Sequence, residues 1–108
     1  EQYINEERYA RFYVNDKFRF NKWGKNKIKQ SLQLKGISPE ITKKALDFIP
    51  TDEYMDILHQ LLNAKSKSIK ARNDYERNGK LIRFAIGRGY EITDIKQCLS
   101  NNDYDYMD

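Results

Sequence analysis

A five-residue run, Lys35-Gly36-Ile37-Ser38-Pro39, constrains this chain more than any other stretch. A glycine there fits the left-handed backbone position just past a helix end, which a residue with a Cβ occupies only at a cost. Ile37 can then fold back on the helix just finished. Ser38 suits the cap of a new helix, and Pro39 its first position, where a missing N–H costs nothing. The run is a tight helix-to-helix corner. A weaker copy, Arg88-Gly89-Tyr90, stands 53 residues later. The same shift aligns Lys27 with Lys80, Ile28 with Leu81, Leu32 with Ala85, and Ala45-Leu46 with Cys98-Leu99.

A three-helix unit of this size buries little surface by itself, so a neighbour must supply much of its core. The spacing therefore predicts an all-α fold of tandem three-helix repeats, two in this chain, stacked into an elongated right-handed-type helical array. The units are placed at residues 1–49 and 50–100, the second with a longer basic connector, and residues 101–108 form an acidic tail.

Within that frame a first helix is expected over residues 5–16, capped by Asn5, with Tyr9, Phe12 and Tyr13 facing the core. Asp16 to Asn21 reads as a connector whose aromatics tuck under the fold. A second helix runs from about Gly24 to Lys35, with Trp23 stapling its start. The third, residues 39–49, turns Ile41, Ala45, Phe48 and Ile49 inward and ends at Pro50. Thr51 or Asp52 caps the fourth, whose Tyr54, Ile57, Leu58, Leu61 and Leu62 form the cleanest apolar stripe in the chain. Residues 63–79 are polar and basic, with Asn78-Gly79 a weak break. A fifth helix is expected from about Lys80, and a sixth over residues 92–100 with Ile95, Cys98 and Leu99 buried. The tail is too short and acidic to fold alone.

The net charge of +4 is strongly segregated. Residues 17–36 hold seven Lys or Arg and no acid, and residues 65–90 hold eight against two acids, leaving −9 for the remainder. Such separation favours an anionic partner, a nucleic acid or an acidic protein face. The candidate contacts are Lys25, Lys29 and Lys35 in the first unit, and Lys80, Arg83 and Arg88 in the second. Lys70, Arg72 and Arg77, in the connector, are secondary candidates. Their role would be electrostatic, steering association and fixing orientation rather than reading bases.

Other classes find less support. There is one histidine, His59, off the apolar stripe, and one cysteine, Cys98, on an apolar face. No Gly-rich phosphate loop follows a strand and no paired carboxylates suggest a cleft, so neither an enzyme nor a bound metal or cofactor is expected. A helix-turn-helix protein that binds DNA directly is the alternative, since the Lys35–Pro39 corner has the required short turn. The helix after it, however, shows only Lys43 and Lys44 outward, where a base-reading helix would carry Arg, Asn or Gln. One cysteine excludes an internal disulfide and suits a reducing, cytoplasmic setting. No run reaches the roughly 20 apolar residues that span a bilayer, so no membrane partner is expected. The opening on Glu1 rather than Met reads as the start of a fragment.

The run Tyr3-Ile4-Asn5-Glu6-Glu7-Arg8-Tyr9-Ala10, then Trp23-Gly24, then Leu32 and Lys35-Gly36-Ile37-Ser38, resembles the RecX family of bacterial regulatory proteins. Lys80-Leu81-Ile82-Arg83-Phe84, Arg88-Gly89-Tyr90 and Ile95 are similar to that family's last repeat. The resemblance covers nearly the whole chain and implies three-helix repeats, typically three in tandem, of which this chain would hold the second and third. It further implies binding to the RecA recombinase filament on single-stranded DNA, touching the DNA directly or through the filament; the chain itself is expected to be a monomer. Members inhibit recombinase ATPase and strand exchange by lodging in the filament groove. The chain departs from the family at Glu91, where a small hydroxyl residue often follows the Gly-aromatic pair. Its Lys65–Arg77 connector is not diagnostic.

Overall fold

Both corners form as their sequences require, and they form identically. In the computed structural model, which describes residues 5–107 and side chains through residue 100, Gly36 and Gly89 adopt φ of +86° and +101°. The Gly36 and Ile37 amides donate to the carbonyls of Gln33 and Leu32, at 3.0 and 3.1 Å. Gly89 and Tyr90 donate to Ile86 and Ala85, at 2.9 and 3.1 Å. These pairs are the same bonds shifted by one repeat, and they satisfy helix-end carbonyls that would otherwise lack donors.

The described residues form six helices, α1 (Glu6–Arg19), α2 (Lys25–Leu34), α3 (Pro39–Asp47), α4 (Thr51–Ser66), α5 (Asp74–Gly87) and α6 (Ile92–Met107), with no strand among them. Helices α1–α3 pack on one another, and so do α4–α6. The two three-helix units lie end to end in a body measuring 60 × 22 × 20 Å. Asn5 caps α1 through the Arg8 amide, and Ser38 caps α3 through the Ile41 amide with Pro39 in the first position.

Tertiary contacts redraw several local expectations. Helix α1 does not stop at Asp16 but runs to Arg19, because Phe18 is needed in the core two turns beyond Ala10. Its buried line is Ala10, Val14 and Phe18, while Phe12 is 66% exposed, Phe20 lies out in solvent and Tyr9 is only partly covered. In α3 the buried polar position is Thr42, beside Ala45 and Ile49, while Phe48 is exposed. Helix α4 takes no side-chain cap: Pro50 stands at the cap position and Thr51 is already helical. Its inner face is Tyr54, Leu58 and Leu62, with Ile57 and Leu61 packed at its margin.

The fifth helix starts a turn and a half before Lys80. Asn73 caps it by accepting from the Glu76 amide, and Asn78-Gly79 sits inside the helix rather than breaking it. Helix α6 carries the backbone on through Met107, so the tail extends an existing helix instead of having to nucleate one.

The junction between units is made by backbone. The Gly24 amide donates to the Arg88 carbonyl at 2.8 Å, and the Asn26 amide to the Gly89 carbonyl at 2.9 Å. The start of α2 thus docks on the α5–α6 corner. A Cβ on Gly24 would lie 2.3 Å from the Gly89 carbonyl carbon and the Tyr90 nitrogen. Two buried tyrosines close the joint. The Tyr54 hydroxyl accepts from the Lys25 amide at 2.9 Å, and the Tyr90 hydroxyl donates to the Lys22 carbonyl at 3.0 Å. Their rings lie 5.3 Å apart, and Phe18 lies 6.4 Å beyond Tyr54. Burial raises both phenol pKa values, so both hydroxyls stay neutral donors and acceptors. Arg19 on α1 clamps Glu53 on α4 through two bonds of 2.6 and 2.9 Å.

Candidate functional site

The nine cations singled out above do not share one environment. Lys25 opens α2 at the junction, its Nζ 4.9 Å from the centre of the Tyr54 ring. Lys29, one turn on, is fully outward, and Lys35 at the C-cap reaches 5.4 Å from the Tyr13 ring. Arg88 caps α5, lies 5.2 Å from the Phe84 ring and approaches the Asn21 carbonyl across the junction. The start of α2 and the end of α5 are therefore brought together. That closeness comes from Gly24 and Gly89, not from the charges.

Three cations of the second cluster are engaged locally. Arg72 and Lys80 converge on Glu76, at 3.2 and 3.6 Å, and Arg77 pairs with Asp74 at 2.7 Å. Hydrogen bonds from the Arg72 backbone and guanidinium, with help from Lys80, hold the Glu76 carboxyl below its ordinary pKa. Lys80 also donates to the Lys70 carbonyl at 2.7 Å, pinning the connector to α5. The two acids in this segment, a small deduction from its net charge, sit where they engage three of the basic side chains. Arg83 is outward and lines a surface groove of about 580 Å³ with Arg72, Tyr75 and Glu76.

The first cluster is arranged differently, and two of the lysines that shape it were not among the candidates. Lys17 on α1 lies 5.3 Å from the Tyr13 ring and 5.2 Å from the Trp23 ring. Lys27 on α2 lies 4.7 Å from Trp23. With Lys35 over Tyr13 these form an alternating series, Lys35, Tyr13, Lys17, Trp23, Lys27, along the α1–α2 face. The Tyr13 hydroxyl meets the Ser31 hydroxyl in the middle of the face. An ammonium over an aromatic face is attracted by the ring's negative face, so each ring holds its lysines without cancelling their charge. The only carboxylate described in an ion pair with these lysines is Asp16, 3.7 Å from Lys17. The signal for the series was present as Lys27, Ser31 and Lys35, spaced by fours on α2. It needed Tyr13 and Lys17 of α1 alongside, which only the packing supplies.

Cys98 is buried and its thiol is pushed up to about 11 by desolvation, so it is a core residue and not a nucleophile at neutral pH. No group of three metal-ligating side chains occurs among the described residues, and no helix there is long and apolar enough to cross a membrane.

Two end-to-end three-helix units carrying a cation-rich face define an all-α tandem helical-repeat protein. The model of the RecX second three-helix domain matches residues 5–46, and that of the RecX third three-helix domain matches residues 52–99. The chain belongs to the RecX family. It is 34% identical over 106 residues to the regulatory protein RecX of Clostridium perfringens strain 13, covering 94% of this chain and 49% of that protein. It is 33% identical over 102 residues to that of Clostridium tetani, covering 92% and 46%. For that of Bacillus cytotoxicus the identity is 27%, covering 92% and 37%. The chain spans about half the length of the first two relatives. No solved structure matches it.

Proposed function

We propose that this chain acts as a RecX-type regulator that binds the RecA recombinase filament on single-stranded DNA and restrains its ATPase and strand exchange. The observation that carries the reading is the succession of two RecX domain types, second then third, across residues 5–99. The structure supplies a physical means. A rod 60 Å long can follow a polyanionic groove, and its two units are locked by backbone contacts, so the cations they carry keep a fixed spacing. Lys25, Lys29 and Lys35 in the first unit and Arg83 and Arg88 in the second would steer and orient the chain. Arg72, Arg77 and Lys80 contribute less, because acids or backbone of their own unit already engage their side chains, and Lys70 in the connector is a secondary contact. In this reading the chain works as a cytoplasmic monomer, needs no cofactor and catalyses no reaction of its own.

Direct reading of duplex DNA by α3 is the weaker reading. Lys43 pairs with Asp47 at 3.2 Å and Lys44 with Glu7 at 3.6 Å, so the two outward cations of that helix are already balanced.

The test uses preformed recombinase filaments on single-stranded DNA, following ATP turnover and filament length as the chain is added. The double reversal Lys29→Glu with Arg83→Glu alters two outward side chains and should weaken inhibition roughly tenfold while helicity is unchanged. Full inhibition by that variant would remove the basic helices from the contact surface. No effect of the unaltered chain on filaments would remove the regulatory reading itself.

A further inference from the structure

We infer that the alternating face of α1 and α2 binds single-stranded nucleic acid directly, by exchanging lysines on aromatic rings for bases. This deepens the regulatory reading and rests on it for the class of polyanion. Trp23 and Tyr13 are half-buried, and each lies within 5.5 Å of two lysine ammonium groups, with Lys17 serving both rings. A base stacked on an aromatic ring is held more strongly than an ammonium over the same ring near the surface. A displaced lysine keeps its charge and can move to the flanking phosphate, where a counterion is released. Ring and cation therefore both improve their contacts when a strand arrives, and neither is left bare when it leaves.

The occupant follows from the same geometry. A protein's acidic face would engage the lysines but has no reason to need rings between them. Duplex DNA offers phosphates, yet its bases are already stacked. An unpaired strand offers both, alternately, as the face does.

Trp23 is the chain's single tryptophan, so its emission reports on this site alone. The chain is titrated without recombinase against fluorescently labelled oligo(dT), reading label anisotropy and Trp23 emission. Inorganic polyphosphate of matched charge and a duplex of matched length serve as comparisons. Oligo(dT) should quench Trp23, and polyphosphate and duplex should bind with little quenching. Lys17→Gln with Lys27→Gln should lower affinity for oligo(dT) about tenfold and flatten the slope of log K against log salt by about 1.4, near 0.7 per lost phosphate contact. Trp23→Leu should lower affinity but leave that slope unchanged. If Trp23→Leu disturbs folding, seen as lost helicity, the lysine pair and the quenching carry the test by themselves.

Binding of oligo(dT) without quenching, equal quenching by polyphosphate or duplex, or an unchanged salt slope in the lysine pair would each overturn the inference. So would failure to bind oligo(dT) at all. A chain that restrains filaments yet fails here loses only this inference, and the regulatory reading stands.

Discussion

Replacing Gly24 by alanine should damage this protein more than replacing Gly36, although only Gly36 has a backbone that favours glycine. Gly24 has φ −80° and ψ 168°, which any residue adopts, so its glycine requirement is wholly external. An added Cβ would sit 2.3, 2.3 and 2.4 Å from three backbone atoms of Gly89 and Tyr90. Backbone cannot swing aside as a side chain does, so the two units must part by about 1 Å to reach ordinary contact. Four junction hydrogen bonds depend on that approach: Gly24 to Arg88, Asn26 to Gly89, Lys25 to Tyr54 and Tyr90 to Lys22. At about 1 kcal/mol each, losing two to four costs about 2–4 kcal/mol before any disturbance of the tyrosine pair. A Cβ on Gly36 meets nothing within 4 Å. Gly36→Ala therefore costs only the left-handed conformation, about 1–2 kcal/mol, partly offset by a less flexible unfolded chain. Urea unfolding followed by helix ellipticity and by Trp23 emission measures both variants. Gly24→Ala should be the less stable by about 2 kcal/mol. It should also separate the two signals, since Trp23, between Lys22 and Gly24, reports on the first unit and the junction, whereas ellipticity reports on all six helices. Equal destabilisation of the two variants, with coincident transitions, would refute a backbone-built junction.

Two further outcomes follow from the same region and the core beneath it. Lys22 is the one non-glycine residue described with a positive φ, 59°, held there while its carbonyl accepts from Tyr90. Lys22→Gly should relieve that conformation and raise stability by about 0.5–1 kcal/mol in urea unfolding; a loss would show that the lysine stem matters more than the backbone. Stability should also fall at alkaline pH. Burial raises the pKa of Cys98 to about 11, from an ordinary 9.0, and raises those of Tyr54 and Tyr90. The folded state thus holds protons that the unfolded state releases, so this contribution is full below about pH 9 and declines as pH rises towards 11. The urea midpoint should drop between pH 8.5 and about 10.5, and Cys98→Ala should flatten part of that drop. A midpoint constant across the range would contradict the burial of these groups.

The elements that rest on neighbours in sequence were legible without coordinates. The corners at Gly36 and Gly89, the Asn5 and Ser38 caps and the stripe of α4 depend on contacts within about four residues. The repeat follows from recurrence of the corner itself. Local pattern misled where a helix had to satisfy a distant partner. Phe12 shares the helical spacing of a core residue, yet Ala10, Val14 and Phe18 face the other helices, and no rule of spacing distinguishes two overlapping stripes. Asn78-Gly79 reads as a break, yet the helix passes through it, because Asn73 starts the helix earlier and later residues bury it.

The surface shows the same division. Sequence by itself determined that the chain is a tandem helical repeat with two cation-rich segments, because periodicity, punctuation and charge are properties of the chain in order. Only the tertiary structure decided which cations keep their charge outward. Acids three and four residues away engage three cations of the second cluster, which helical spacing alone allows, whereas rings on a neighbouring helix hold lysines of the first without neutralising them. Tertiary structure also gave Gly24 and Gly89 their purpose. Each looked like a local helix-end residue, and together they let two backbones meet at hydrogen-bond distance, which no residue with a side chain permits at that spot.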